Sequence, residues 1–317
     1  MAAAEHNSFW PSQGAAWSSQ SLYIVLAAIL WSTDALLRQP LTRDLSALVI
    51  VFAEHALALI FVAPILYTFG YYLRRLTARQ WAAVLFIGVA ASALATVAFT
   101  ASFSYVSPSV SILLQKVQPL ITFGVAWFWL GERLPRHFWL WAGLALLGAY
   151  VVSFPELIPQ LTLYQGGVRG IGLALLAAVL WGSATVAGRY LLRELPFLLV
   201  TSLRFMVALV FLGLLLSGGT LNSGWGQLAS ASMRDWLFLL VIMLGPGFGA
   251  MYLYYRGLTV TKAAVAAVLE LTWPLGAVIL NWFILGEHLT LGQMMGGLIL
   301  MVAIGRLTLW PTVVQTN

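Results

Sequence analysis

From about residue 21 to residue 310 the chain is written as ten apolar runs of about 20 residues, and this pattern limits its fold more than any motif does. A helix needs about 20 predominantly apolar residues to cross a hydrocarbon core of ~30 Å. The runs fall near 21–40, 46–69, 81–104, 108–130, 135–154, 170–190, 196–217, 235–256, 261–285 and 290–310. Only 8% of the residues are charged and 61% are hydrophobic, whereas a soluble domain carries about 25% charge. The expected fold is an all-α integral membrane protein with ten transmembrane helices. In such a chain the polar residues become the informative ones.

Loop charge sets the direction. Connections after even-numbered runs hold nine Lys and Arg residues, Arg74, Arg75, Arg79, Arg133, Arg136, Arg189, Arg193, Arg256 and Lys262; odd ones hold three, Arg43, Arg169 and Arg234. The excess marks the cytoplasmic side, so both termini are expected there. Residues 1–20 carry no Lys or Arg. They read as a polar leader rather than a signal peptide, which needs a basic start. Trp10, Trp17, Trp81, Trp225, Trp236 and Trp310 fall near run ends, where interface anchors belong. Trp31, Trp181 and Trp273 fall inside runs.

The chain repeats itself. Gln118-Pro119-Leu120 is followed by Gly131-Glu132, and Trp273-Pro274-Leu275 by Gly286-Glu287 at the same spacing. Gln115 and Glu270 each stand four residues before the Pro. Leu26 to Trp31 and Leu176 to Trp181 also match. The expected units are 21–154 and 170–310, joined by 155–169, with a tail at 311–317. Each unit holds five runs, an odd number, so the second must enter the membrane inverted. Inverted repeats mark secondary transporters, with the site near the midplane. A duplicated channel is the other reading.

These residues carry a likeness. Ten runs as five plus five, Leu30-Trp31-Ser32-Thr33, Pro119 with Gly131-Glu132-Arg133-Leu134, and Pro274 with Gly286-Glu287-His288-Leu289 resemble the EamA-type branch of the drug/metabolite transporter superfamily. The resemblance covers residues 21–310. It implies a secondary transporter, usually an exporter of metabolites, amino acids or drugs. It also implies a central cavity lined by spans 1 to 4 and 6 to 9, with spans 5 and 10 peripheral. Gly182-Ser183-Ala184 stands where the first half has Ser32-Thr33-Asp34, so a role of Asp34 is not duplicated.

Asp34, Arg38, Glu54, Lys116, Arg204 and Glu270 lie within the apolar runs, and His55 adjoins Glu54. A central charge costs roughly 2.5–3.5 kcal/mol to insert, so these must pair, line a wet cavity or be neutral. Repeat alignment sets Glu54 against Arg204, and Gln115 beside Lys116 against Glu270. The expected pairs are therefore Glu54 with Lys116 and Arg204 with Glu270. Asp34 and Arg38, four apart on one helix, form a third. Two readings of the pairs stand: they hold helices together, or they contact substrate and act as gates. Glu270, then Asp34 and Glu54, are the candidates for proton coupling.

Gly245-Pro246-Gly247 interrupts span 8, and interrupted spans point to transporter sites. With Pro119 and Pro274 it is a candidate hinge. Trp31, Trp181, Trp273, Tyr252 and Tyr255 are candidates for an aromatic pocket wall, and Gln115 for its polar lining. Gly292 and Gly296, with Gly143 and Gly148, suit either a dimer face or close packing within the chain. Glu132 and Glu287 read as caps of the helix that follows each.

Several classes have no motif here. There is no phosphate-binding Gly-Lys-Ser/Thr loop, no cysteine, and the four His, at 6, 55, 137 and 288, are scattered. No cofactor, metal, enzyme activity or nucleic-acid partner is expected. The expected partners are a small-molecule substrate, the lipid bilayer and protons, with monomer and homodimer both open. The expected function is export of a small metabolite such as an amino acid across the plasma or inner membrane, by alternating access. Efflux of lipophilic cations is the alternative within transport. A membrane enzyme or lipid scramblase is the alternative from another class.

Overall fold

The structure, a computed structural model, describes residues 19–154, 167–218, 222–285 and 290–309. The leader, the tail, Trp10, Trp17, Trp310 and the Gly286-Glu287-His288-Leu289 copy of the motif lie outside these residues. The described residues form helices and turns, with no strand apart from an isolated bridge residue at Val106.

Among the described residues, ten helical stretches follow the apolar runs. They are α1 (Leu22–Leu41), α2 (Ala47–Arg75), α3 (Ala78–Ser102), α4 (Pro108–Leu130), α5 (Arg136–Ser153), α6 (Gly167–Leu191), α7 (Phe197–Gly218), α8 (Met233–Leu258), α9 (Ala263–Leu269 and Thr272–Leu285) and α10 (Leu291–Leu309). All except α5 and α10 are long and apolar enough to cross a membrane; α10 contains a shorter apolar helix, and α5 opens on Arg136 and His137. A further short helix, Asn222–Ser230, fills the longer connection before α8.

Local features recur at a fixed interval. Thr77 and Gln80 form a capping box at the start of α3, and Ser232 and Asp235 form one at the start of α8. Each hydroxyl accepts the N–H three residues on, while the third residue's side chain accepts back. Gly131 ends α4 at φ 63°, a left-handed conformation that glycine adopts without steric cost. The Glu that follows corrects the sequence expectation. Glu132 accepts the Ala263 and Ala264 N–H groups at 3.0 and 3.2 Å, so it caps α9, not α5. Any helix N-terminus offers free N–H groups and positive potential, and the one in reach belongs to the other half of the chain.

Interruptions concentrate in five helices. α1 breaks at Ser32 and Thr33, whose hydroxyls donate to Ile29 O at 2.5 Å and Leu30 O at 2.7 Å. Such local bonds compete with the helix ladder. Its counterpart α6 is unbroken. α4 tightens to a 3₁₀ turn at Gln115–Val117, and α9 is interrupted at Glu270 and Leu271. Pro119 and Pro274 therefore sit in the first turn of a new helical segment, where a missing N–H costs little. α8 widens to a π-turn at Met243–Gly247, around Pro246, and α3 does so at Phe86–Ala95. The π segment of α3 has no Pro to announce it.

α5 and α10 pack chiefly on each other, and neither contributes to the central cavity. Their contact is close because glycines face each other: a Cβ built on Gly148 would lie 2.8 Å from Gly296 O and 2.8 Å from Leu300 N. The glycines at 148 and 296 thus serve packing within the chain. Gly148→Leu is expected to cost about 1–3 kcal/mol through overpacking, read as a lower temperature of half-unfolding in detergent.

Candidate functional site

All eight long apolar helices contribute to one cavity of about 950 Å³, counted to include its open mouth. The break in α1 places Asp34 at the start of a new segment, one turn from Arg38. Arg38 Nε donates to Asp34 Oδ2 and Nη2 to Oδ1, both at 2.8 Å. Nη2 also donates to Glu54 Oε2 at 2.8 Å, and Nη1 to Thr100 Oγ1 at 3.3 Å. Arg38, Asp34 and Glu54 are 3%, 8% and 4% exposed. A guanidinium fork can serve two carboxylates at once, as a lysine ammonium on a flexible stem does not. Glu54 thus pairs with Arg38, not Lys116.

The second expected pair is also absent. Arg204 Nε donates to Ser92 Oγ at 2.9 Å and Nη1 to the Tyr255 hydroxyl at 3.1 Å. His55 Nδ1 lies 2.7 Å from Val51 O, and Nε2 lies 3.3 Å from Ser92 Oγ. The carbonyl can only accept, so Nδ1 carries the hydrogen and Nε2 accepts from Ser92. Glu270 accepts from the Tyr254 hydroxyl and from Gln118 Nε2, both at 2.6 Å. Thr185 completes this set, 3.0 Å from the Tyr254 hydroxyl. Among the described residues no cation stands within 4.0 Å of Glu270. Neutral donors hold it instead.

Aromatic rings form much of the remaining wall. Trp31 packs on Tyr254 with centroids 5.2 Å apart, and Phe99 lies 5.2 Å from Trp181 and 6.1 Å from Trp273. The Trp181 indole donates to Ala91 O at 2.9 Å, inside the π segment of α3. The widened turn leaves that carbonyl able to accept.

Residues 18–154 and 168–309 match the model of the EamA-like transporter family. The chain belongs to that family. Among named relatives, the riboflavin transporter ImpX of Fusobacterium nucleatum is 29% identical over 293 residues, covering 90% of this chain and 95% of its own. An uncharacterized inner membrane transporter of Escherichia coli K12, YhbE, is 28% identical over 137 residues, 43% of this chain and 41% of its own. One crystal structure of a protein superposes with TM-score 0.69 at 19% identity, covering 92% of this chain and 96% of that one, which speaks to the fold alone.

Within this EamA-family cavity, Trp31, Asp34, Glu54, Arg204, Glu270, Trp181, Trp273, Pro246 and Gly247 all line the wall. Lys116 and Gln115 line a smaller adjoining crevice, with Pro119 and Pro274. Tyr252 does not line the cavity; it packs edge-on against Phe197 at 5.3 Å. Tyr255 is wholly buried behind Arg204. α8 presents Pro246, Gly247, Met251 and Tyr254 to the cavity, so the tyrosine in the wall is Tyr254 and not the expected Tyr252 or Tyr255. The π-turn just upstream inserts an extra residue and rotates the rest of the helix. Sequence reasoning misses Gln118, Ser92, Thr96, Phe99, Thr185 and Tyr254 as site residues. Gln118 carries a signal, being a polar residue within an apolar run.

Proposed function

We propose that this chain is a secondary transporter of a small, planar ring metabolite of the flavin type. It works in the cell membrane by alternating access, as ten spans in two inverted five-helix units with cytoplasmic termini. One observation carries the reading: the cavity is walled by three indoles, Phe99 and Tyr254, while its most concentrated charge, Asp34, Arg38 and Glu54, is neutralised largely within itself. Such a wall favours stacking of a flat polar ring over capture of a free ion. The name of the Fusobacterium relative, a riboflavin transporter, supports the same class.

Glu270 is the coupling group in this proposal, because no cation clamps it as Arg38 clamps Asp34 and Glu54. The interruptions next to Pro119 and Pro274, and the π-turn at Gly245, Pro246 and Gly247, are the flexing points. An amino acid is the second reading. Arg204 and Glu270 line one cavity with only neutral hydrogen-bond partners, so they could hold a carboxylate and an ammonium.

The test is uptake of labelled riboflavin into proteoliposomes holding the purified protein. Saturable uptake above empty liposomes is expected, with Trp31→Leu weakening apparent affinity roughly fivefold, the value of about 1 kcal/mol of ring contact. Uptake no greater than in empty liposomes, with phenylalanine or tryptophan taken up instead, would move the assignment to an amino acid.

A further inference from the structure

The crevice between the interruptions of α4 and α9 shares Gln118, Glu270 and Trp273 with the main cavity. Among the described residues, three polar groups carried by residues that line it have no hydrogen-bond partner. Two are buried, Gln115 Oε1 and Trp273 Nε1. The third is the Lys116 ammonium, which makes no hydrogen bond or ion pair with the described residues. Gln115 cannot cure this by turning its amide over. Its Nε2 donates to Ala174 O at 2.8 Å, and the reversed amide would set oxygen against oxygen. Glu270, which accepts from Tyr254 and Gln118, does not pair Lys116 either: among the described residues no cation stands within 4.0 Å of it. Native proteins rarely leave buried polar groups unpaired, and such groups ask for a functional explanation.

The unpaired set is two donor groups and one acceptor. That is the complement of an imide edge, in which two carbonyl oxygens flank one N–H. We propose that this crevice is the subsite that reads the imide edge of the transported ring, whose body lies between the aromatic walls of the main cavity. The Lys116 ammonium and the Trp273 indole take the two carbonyls, and Gln115 Oε1 takes the N–H. A carboxylate fits the set less well, because it brings no donor for Gln115 Oε1. The proposal rests on the flavin-type reading, since flavins carry this edge and amino acids do not.

The two can fail separately. Binding of riboflavin and of N3-methylriboflavin, in which a methyl replaces the imide hydrogen, is measured on the purified full-length protein. Wild type is expected to hold the methylated compound at least about tenfold more weakly, because a site built to pair an N–H leaves its acceptor unpaired without it. Lys116→Met and Gln115→Met are each expected to weaken riboflavin and to shrink that ratio. Lys116 has no partner to lose, so Lys116→Met stands if Gln115→Met fails to fold. Equal binding of both flavins by wild type overturns the subsite and leaves the flavin reading intact. A ratio unchanged in both folded variants also overturns it. No binding of riboflavin at all overturns both.

Discussion

Arg38→Met is expected to destabilise the protein by about 3–5 kcal/mol, the usual result of removing one partner from a buried charged group. Among the described residues, no Lys or Arg other than Arg38 pairs with Asp34 or Glu54, and the His55 ring lies 3.6 Å from Glu54 Oε1. Without it two carboxylates face each other at low dielectric within the membrane. The variant should show a reduced yield of monodisperse protein and a clearly lower thermal midpoint. Asp34→Asn/Arg38→Met/Glu54→Gln, which removes all three charges, should recover most of that loss, since a neutral set leaves nothing uncompensated. If the triple variant folds but does not transport, the cluster has a role beyond holding α1 to α2. If the single variant is as stable as wild type, the bidentate geometry carries no energetic weight.

Glu270→Gln is expected to abolish uphill accumulation while leaving exchange of labelled for unlabelled substrate largely intact. Its two contacts are with neutral donors, Tyr254 and Gln118, so protonation is the simplest way for its charge to change during a cycle. A Gln of similar shape keeps one acceptor for Tyr254 and cannot titrate. Counterflow and gradient-driven uptake in the same liposomes separate the two outcomes. Normal accumulation along a proton gradient in the variant would remove Glu270 from coupling.

Much of the helix layout is readable from periodicity, and the repeat offset points to the matched interruptions at Gln115–Val117 and at Glu270. The Pro in each copy lacks the N–H that would bond the carbonyl four residues earlier, so Gln115 O and Glu270 O accept from Gln118 and Trp273 instead. The carboxylates, Arg204 and the three inner tryptophans can be found because a polar or indole group inside an apolar run is costly and therefore conspicuous. Their partners cannot. Pairing by repeat alignment assumes that symmetry-related residues do symmetry-related work. Arg38 breaks that assumption: its counterpart is Gly188, and the helix break that positions it, at Ser32 and Thr33, is missing from α6. On α8 the tyrosine in the wall is Tyr254, between the expected Tyr252 and Tyr255. Spacing within Phe248–Leu258 alone does not show which face of that helix meets the cavity, and the π-turn at Met243–Gly247 precedes it. In α3 the π segment rests on Ala, Gly and Ser without Pro, and nothing in such a run distinguishes π from α. It shows only through its result, a carbonyl at Ala91 that accepts from the Trp181 indole and the Thr96 hydroxyl.

Riboflavin titration of the purified protein, followed by quenching of flavin fluorescence, tests the central claim most directly. Stacking on the indoles of the cavity is expected to quench the flavin saturably, with one site per chain, and Trp31→Leu with Trp181→Phe should weaken that binding together more than either alone. A flavin signal that stays linear with protein concentration, while an aromatic amino acid binds saturably, would contradict it.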